Sequence, residues 1–218
     1  GIMNTNTQIL IEGQPVGAFY GLNFAFIDEK GVYGTPGAWI YTTPAGGYCN
    51  DSTAVDAYRQ VIGNAQPLFT YGWNNAFRYK SFDLSFFVRG VVGNDVLNLT
   101  RWAYGPRQTQ ADNLFMKDVK GKNVTYANKA HFSSYYLEDG SYLKLDNITF
   151  GYTFRPKGDS HLENLRVYVT GQNLFTLTKY SGQDPEVNTT DVWRAGIDYC
   201  DFYPTVATVL VGVNISFK

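Results

Sequence analysis

YLKLDNITFGYTF-RPKGDSH-LENLRVYVTGQNLFTL, residues 142–177, reads as two long strands on either side of a short polar turn. In the first strand Ile148, Phe150, Tyr152 and Phe154 fall on one side, with Asn147, Thr149, Gly151 and Thr153 on the other. In the second, Leu165, Val167 and Val169 face one way while Arg166, Tyr168, Thr170 and Gln172 face the other. Successive side chains of a strand point to opposite sides, so each strand has one apolar and one polar face. The turn, Arg155–His161, is charged and rich in breakers and belongs in water. What the apolar face meets, a protein core or lipid, decides what the chain is.

The same period of two recurs outward from this pair. Leu68–Tyr79 sets Phe69, Tyr71, Trp73, Phe77 and Tyr79 on one face, with Asn75 the exception, and Thr70, Gly72, Asn74 and Arg78 on the other. Two polar residues later, Phe82, Leu84, Phe86 and Val88 oppose Asp83, Ser85 and Arg89, which makes a tight hairpin. The terminal stretch sets Ala207, Val209, Val211, Val213, Ile215 and Phe217 against Thr208, Gly212, Asn214 and Ser216, with Leu210 the exception. Gly17–Ile27 alternates loosely and is expected to be a further strand, and Met3–Ile11 another or an extension of it. Between them and Leu68, residues 28–66 read as a long loop, in which Ser52–Ile62 is expected to form a short helix capped by Ser52 or Thr53. Gly93–Asp139 and Thr178–Pro204 show no sustained period.

Connections therefore alternate between long and short. Structureless loops beyond about 15 residues are uncommon in compact soluble domains, whereas outer-membrane barrels pair short periplasmic turns with long extracellular loops. Strands of about 11 residues at ~3.3 Å each, tilted about 45°, cover the roughly 25 Å apolar band of such a barrel. Tyr79, Phe82, Phe154 and Phe217 gather near strand ends, as interfacial girdles do. The expected fold is all-β: roughly six strands of a large antiparallel transmembrane barrel with long extracellular loops. Six strands leave two open edges, which lipid does not tolerate, so more strands are expected ahead of Gly1. The alternative is a soluble β-sandwich with large inserts.

Composition agrees with strands and turns. The 218 residues are 44% hydrophobic, 17% aromatic and 17% charged, with 22 glycines. A net charge of -1 leaves no electrostatic footprint for nucleic acid. No apolar run approaches the ~18 residues of a membrane-spanning helix, which says nothing against a barrel. Cys49 and Cys200 form neither a disulfide framework nor a metal set, and a bond between them stays open.

Four segments carry a family resemblance: GQPVGAFYG (Gly13–Gly21), EDGSYLKLDNITFGYTF (Glu138–Phe154), NLRVYVTGQNLFTLTKYSGQDPEV (Asn164–Val187) and YPTVATVLVGVNISF (Tyr203–Phe217). They resemble the C-terminal part of the SusC/RagA-type TonB-dependent outer-membrane transporters of Bacteroidetes. The resemblance implies a 22-stranded barrel, a plug domain inside it and a TonB-contacting segment (the TonB box), neither of the last two in residues 1–218. It also implies a SusD-like surface lipoprotein over the mouth, and energy-coupled import of a glycan or peptide. A passive porin or structural outer-membrane barrel, and a soluble carbohydrate-binding module, are the competing functions. One departure is Lys218 after Phe217, where the family generally ends on an aromatic residue.

No catalytic constellation, phosphate cradle, CxxC or cofactor motif occurs, so no covalent chemistry and no cofactor is expected. His131 falls in a predicted outer loop and His161 in a predicted periplasmic turn, and Asp184-Pro185-Glu186 reads as a solvated turn. The candidate solute-binding residues are the loop aromatics Trp39, Tyr41, Trp102, Tyr104 and Trp193, since aromatic faces stack on sugar rings and peptide side chains at low entropic cost. Their alternative role is to pack the loops against one another. Arg78, Asp83, Arg89 and Arg166 are the candidate lumen-lining charges, expected to pair with each other or with the plug.

Overall fold

The computed structural model describes residues 7–50, 53–54, 56–104, 131–157, 161–187, 194–199 and 203–218. Fourteen strands are seen among them: β1 (Gln8–Ile9), β2 (Ala18–Gly21), β3 (Asn23–Asp28), β4 (Ala38–Thr42), β5 (Tyr48–Asn50), β6 (Gln60–Asn64), β7 (Phe69–Tyr79), β8 (Phe82–Val92), β9 (Asp95–Asn98), β10 (Leu137–Asp139), β11 (Tyr142–Phe154), β12 (Leu162–Thr178), β13 (Ile197–Asp198) and β14 (Thr208–Phe217). One short helix, α1 (Leu99–Tyr104), follows β9. The chain divides into two compact units. The first comprises Gly1–Pro67, Gly93–Gly140 and Tyr180–Phe202, the second Leu68–Val92, Ser141–Lys179 and Tyr203–Lys218.

The second unit is a single antiparallel sheet in the order β14-β12-β11-β8-β7. Its register puts every apolar row found in the sequence on one side: Trp73 opposite Val88, Phe86 opposite Ile148, Phe150 opposite Val169, and Val169 opposite Val211. Nothing in the unit covers that side. Trp73 is 60% exposed and Val211 72%, with Phe77, Phe82, Phe150, Phe154, Val213 and Phe217 also open. A sandwich would bury these residues between two sheets. The soluble-sandwich alternative fails on this point. Phe82 packs on Phe150 and Tyr152 at 5.8 and 4.9 Å between ring centroids, so the aromatic row is continuous across strands near the tight turn.

The hairpin is as tight as its two polar residues require. Tyr79 pairs with Phe82, and Lys80 takes a positive φ of 53° to close the turn. Register slips once within the β11–β12 pair, between Leu145 and Asn147, opposite an Asn173 with φ 51°. That bulge keeps Leu145 on the apolar side and frees Asp146 for the polar one.

The first unit holds three small sheets, β1-β2-β6, β3-β4-β5 and β10-β9-β13. Here the sequence reading needs correction. Gly17–Ile27 is not one long strand. Leu22 bridges to Ser133 and is buried, and the chain changes partner there, from β6 and β1 on one side to β4 on the other. The sheet of long strands thus has five members among the described residues, rather than six. The helix expected at Ser52–Ile62 is also absent. Ser52 lies outside the described residues. A single 3-10 turn spans Asp56–Tyr58, and Gln60–Asn64 pairs with β2, as suits the β-branched Val61 and Ile62. The long loops contain β4, β5, β9 and β10, strands too short to show a period. No described helix is long and apolar enough to cross a membrane, which says nothing of strands.

Candidate functional site

The polar face of the five-stranded sheet is the candidate site. Across it run Arg78, Asp83, Arg89 and Arg166, all on the side opposite the apolar rows, as their alternation requires. They do not stand alone. Asp83 accepts two hydrogen bonds from Arg166, and Arg78 lies directly opposite Asp83 in the register. Arg166 also rests on the Tyr168 ring, 4.8 Å from its centroid. Nearer the other end, Arg89 donates from Nε to Asp146 Oδ1 at 2.7 Å and from Nη1 to the Tyr142 hydroxyl at 3.0 Å. Between the two clusters lie neutral rungs, with the Thr149 and Thr170 hydroxyls 2.8 Å apart.

Two residues of this face escaped the sequence reading. Lys144 is only 1% exposed and donates to Thr205 Oγ1 at 2.9 Å. Counting back by twos from Ile148 puts Lys144 on the apolar side, and the bulge between Leu145 and Asn147 reverses that parity. Asp146, the extra residue of that bulge, is the partner of Arg89.

The loop aromatics are placed differently from the expectation. Trp39 is 2% exposed and Tyr41 fully buried. Trp39 meets Tyr135 edge-on at 4.8 Å, stacks on Tyr136 at 6.3 Å and tilts against Phe24 at 5.4 Å. Tyr41 touches Phe24 and the His131 ring. Both are core, because β4 is the central strand of its sheet and its residues are covered. They offer no open ring to a solute. Trp102 is partly buried, packed on Tyr136 at 5.9 Å and Phe132 at 5.6 Å. Tyr104 ends α1 with its side chain outside the described residues, as is all of Trp193.

The open aromatics of this unit are others. Phe26, Tyr33 and Tyr48 form a mutually edge-to-face trio with centroids 5.3–5.7 Å apart, and Tyr33 and Tyr48 are exposed. The loop carrying Tyr33 is held from within. The buried Asp28 carboxylate accepts from the Gly31 N–H at 2.9 Å and the Tyr33 N–H at 2.6 Å, and Asn50 Nδ2 donates to the Tyr33 carbonyl at 2.8 Å. The Tyr33 N–H above all, with those of Val32, Gly31 and Lys30, holds the Asp28 carboxyl below the usual carboxylate range.

A second polar core ties two long connections together. Glu138 accepts from Asn98, Arg101 and the Ser181 hydroxyl on Oε1, and from the Ser181 N–H on Oε2. Tyr180 donates to Asp198 at 2.5 Å. Burial first, then the charges of Asp184 and Glu138, raises the Asp198 carboxyl, while burial raises the Tyr180 hydroxyl far above its ordinary range. Asp184 is buried, so Asp184-Pro185-Glu186 is no solvated turn: the Asp184 carboxylate caps the Glu186 N–H at 3.0 Å. Among the described residues no group of three or more His, Cys, Asp or Glu could hold a metal ion. Cys49 is buried in β5, and Cys200 lies outside the described residues.

No protein-family model matches the chain. Individual proteins do. The TonB-dependent receptor P3 of Formosa agariphila is 34% identical over 99% of the chain, and the TonB-dependent receptor SusC of Bacteroides thetaiotaomicron is 27% identical over 98%. The structure of the RagAB peptide importer in its closed-closed state superposes with a TM-score of 0.73 over 92% of the chain, at 23% identity. The chain is a piece of a SusC/RagA-type TonB-dependent receptor. It spans 23% and 21% of the length of those two receptors, and 23% of the RagAB chain. As part of a receptor of this type, the five-stranded sheet is a piece of an all-β barrel.

Proposed function

We propose that this receptor fragment is wall and rim of an importer in the outer membrane, one that takes up a glycan or peptide and is driven through TonB. The observation that carries the reading is the apolar side of β7, β8, β11, β12 and β14, where Trp73, Phe77, Phe82, Phe150, Phe154, Val169, Val211 and Phe217 are all exposed. A surface of that extent needs hydrocarbon against it. The names of the similar receptors and of the RagAB peptide importer support import as the activity of the whole protein. The plug, the TonB box and further strands then belong to other parts of the same polypeptide, and a SusD-like lipoprotein is the partner at the mouth. The three connections that leave one end of the sheet, opposite the tight turns, lie on the extracellular side.

In this reading Arg78, Asp83, Arg89 and Arg166 stiffen the inner wall by pairing with one another across strands. Solute stacking passes from Trp39 and Tyr41, which are core, to the open Tyr33 and Tyr48. No covalent step is assigned to this segment.

Uptake by cells expressing the full-length receptor tests the scheme. Labelled oligosaccharides and peptides are offered with and without a protonophore, and in a strain lacking TonB. Import that stops in both cases is the expected result. Import that continues at the same rate makes the protein a passive pore and overturns the proposal.

A further inference from the structure

The tight-turn end of the sheet has a chemistry of its own. Lys80 lies in the β7–β8 turn, Arg155 and Lys157 follow β11, and Lys218 follows β14, all four exposed. The sheet brings them into one row. The Thr153 N–H donates to the Ser81 carbonyl at 2.8 Å, which seats the first turn beside the end of β11. The Lys218 N–H donates to the His161 carbonyl at 3.0 Å, which seats the end of β14 beside the start of β12. At a strand spacing of about 4.8 Å the row extends for roughly 19 Å across five strands. The carboxylates at this end among the described residues are Glu163 and Asp83, the latter held by Arg166; Asp159, in the same turn as Arg155 and Lys157, lies outside them. At the opposite end of the long strands the exposed cation is Lys179 alone among the described residues.

Directly behind the cations, on the apolar side, comes the exposed aromatic row: Tyr79, Phe82, Tyr152, Phe154 and Phe217. Lys80 Nζ lies 5.3 Å from the Tyr79 ring centroid, so cation and ring share one surface. Hydrocarbon-facing side chains, then aromatic rings, then flexible cations is the order in which a bilayer presents its acyl chains, its interface and its phosphates. A water-facing turn needs charge but no particular sign. The excess of exposed cations at this end among the described residues is what calls for a partner.

We propose that this basic row is a binding strip for the phosphate headgroups of anionic phospholipid in the periplasmic leaflet. The strip continues the apolar face into the headgroup region, and its charge complements the leaflet that tight turns meet in an outer-membrane barrel. The inference rests on the barrel reading above. It adds that the wall selects its neighbouring lipid at one end.

The test uses the full-length receptor, wild type and with Lys80→Gln, Arg155→Gln, Lys157→Gln and Lys218→Gln combined. Each protein is reconstituted at low salt into phosphatidylcholine vesicles and into vesicles of equal parts phosphatidylcholine and phosphatidylglycerol. Retained lipid is then counted by native mass spectrometry. The wild type should retain phosphatidylglycerol preferentially, and the variant should lose at least roughly five-fold of that preference, the effect of one surface charge. The preference should also fade as salt rises. Lys179→Gln, at the other end, should keep it. Equal preference in wild type and combined variant overturns the strip. So does a loss confined to added lipopolysaccharide, which would place the phosphate in the other leaflet. Failure of the wild type to insert into either vesicle sinks the barrel reading along with the strip; insertion without preference sinks the strip alone.

Discussion

Arg166 reaches over Gly151 to hold Asp83, with Nε 3.0 Å from Oδ1 and Nη2 2.5 Å from Oδ2. The two residues belong to β12 and β8, which are separated by β11. A Cβ at position 151 would lie 2.6 Å from Asp83 Oδ2 and 2.7 Å from Arg166 Nη2. The pair can close because the intervening strand carries no side chain there.

Gly151→Ala should therefore break the ion pair without touching either charge. The partners are 25% and 22% exposed, so solvent screening trims the value of two charge-assisted hydrogen bonds. A loss of about 1–2 kcal/mol is expected in urea titrations of the refolded receptor. In an Asp83→Ala background the same change should cost much less. Equal costs in both backgrounds would mean that the glycine serves something other than the pair.

Val211→Arg places a charge in the middle of the apolar side and should cost about 2–4 kcal/mol in lipid or detergent. Asn74→Arg, at mid-strand on the polar side, should cost under about 1 kcal/mol. Matching losses would contradict the assignment of the two faces.

Trp39→Ala removes a fully packed ring and should destabilise the first unit by about 3–5 kcal/mol, seen as lost near-ultraviolet dichroism on heating. Tyr48→Ala, at an open ring, should leave that transition close to wild type while weakening binding of whichever solute is imported. The opposite pattern, solute binding lost with Trp39 and stability unmoved, would restore the buried tryptophan to the rim.

Acid should act on two buried carboxylates in opposite senses. Asp28 has its carboxyl lowered by backbone N–H groups, so its contribution is present above the unfolded carboxylate range and is lost as pH falls through the lowered value. Asp198 has its carboxyl raised by burial, so the native state favours the proton. Its contribution is fullest in acid and declines as pH rises through the raised value. Asp198→Asn, which keeps an acceptor for the Tyr180 hydroxyl, should raise protection of residues 194–199 against hydrogen exchange in neutral buffer and flatten its pH dependence. Asp28→Asn should loosen residues 29–37 in neutral and mildly acidic buffer alike, the difference from wild type fading only as pH falls through the lowered value.

The long strands were legible because a period of two needs several residues to declare itself, and β7, β8, β11, β12 and β14 each have ten or more. Arg78, Asp83, Arg89 and Arg166 followed from the same alternation. What failed was everything built from short pieces. β5 has three residues and β13 two, too few to show any pattern. Trp39 and Tyr41 sit among glycines, prolines and threonines, text that reads as open loop whether or not a neighbouring strand covers the rings. Their burial depends on Tyr135, Tyr136 and Leu22, residues far away in sequence. Lys144 and Asp146 were hidden by the bulge, since one inserted residue reverses the parity on which the face assignment rests.

The first unit is stitched from stretches that lie far apart in the chain: Gln8 Nε2 donates to the Ala195 carbonyl at 2.7 Å, across a separation of 187 residues. In the sheet of long strands, by contrast, β7 pairs with β8 and β11 with β12 through turns of a few residues. Closing a distant contact costs more chain entropy before it returns any stabilisation. During biogenesis, then, hairpins come first, and the distal connections finish ordering last, when nearly all of residues 8–195 is available. A pulse of protease early in assembly should find those connections still cleavable after the strands have become resistant.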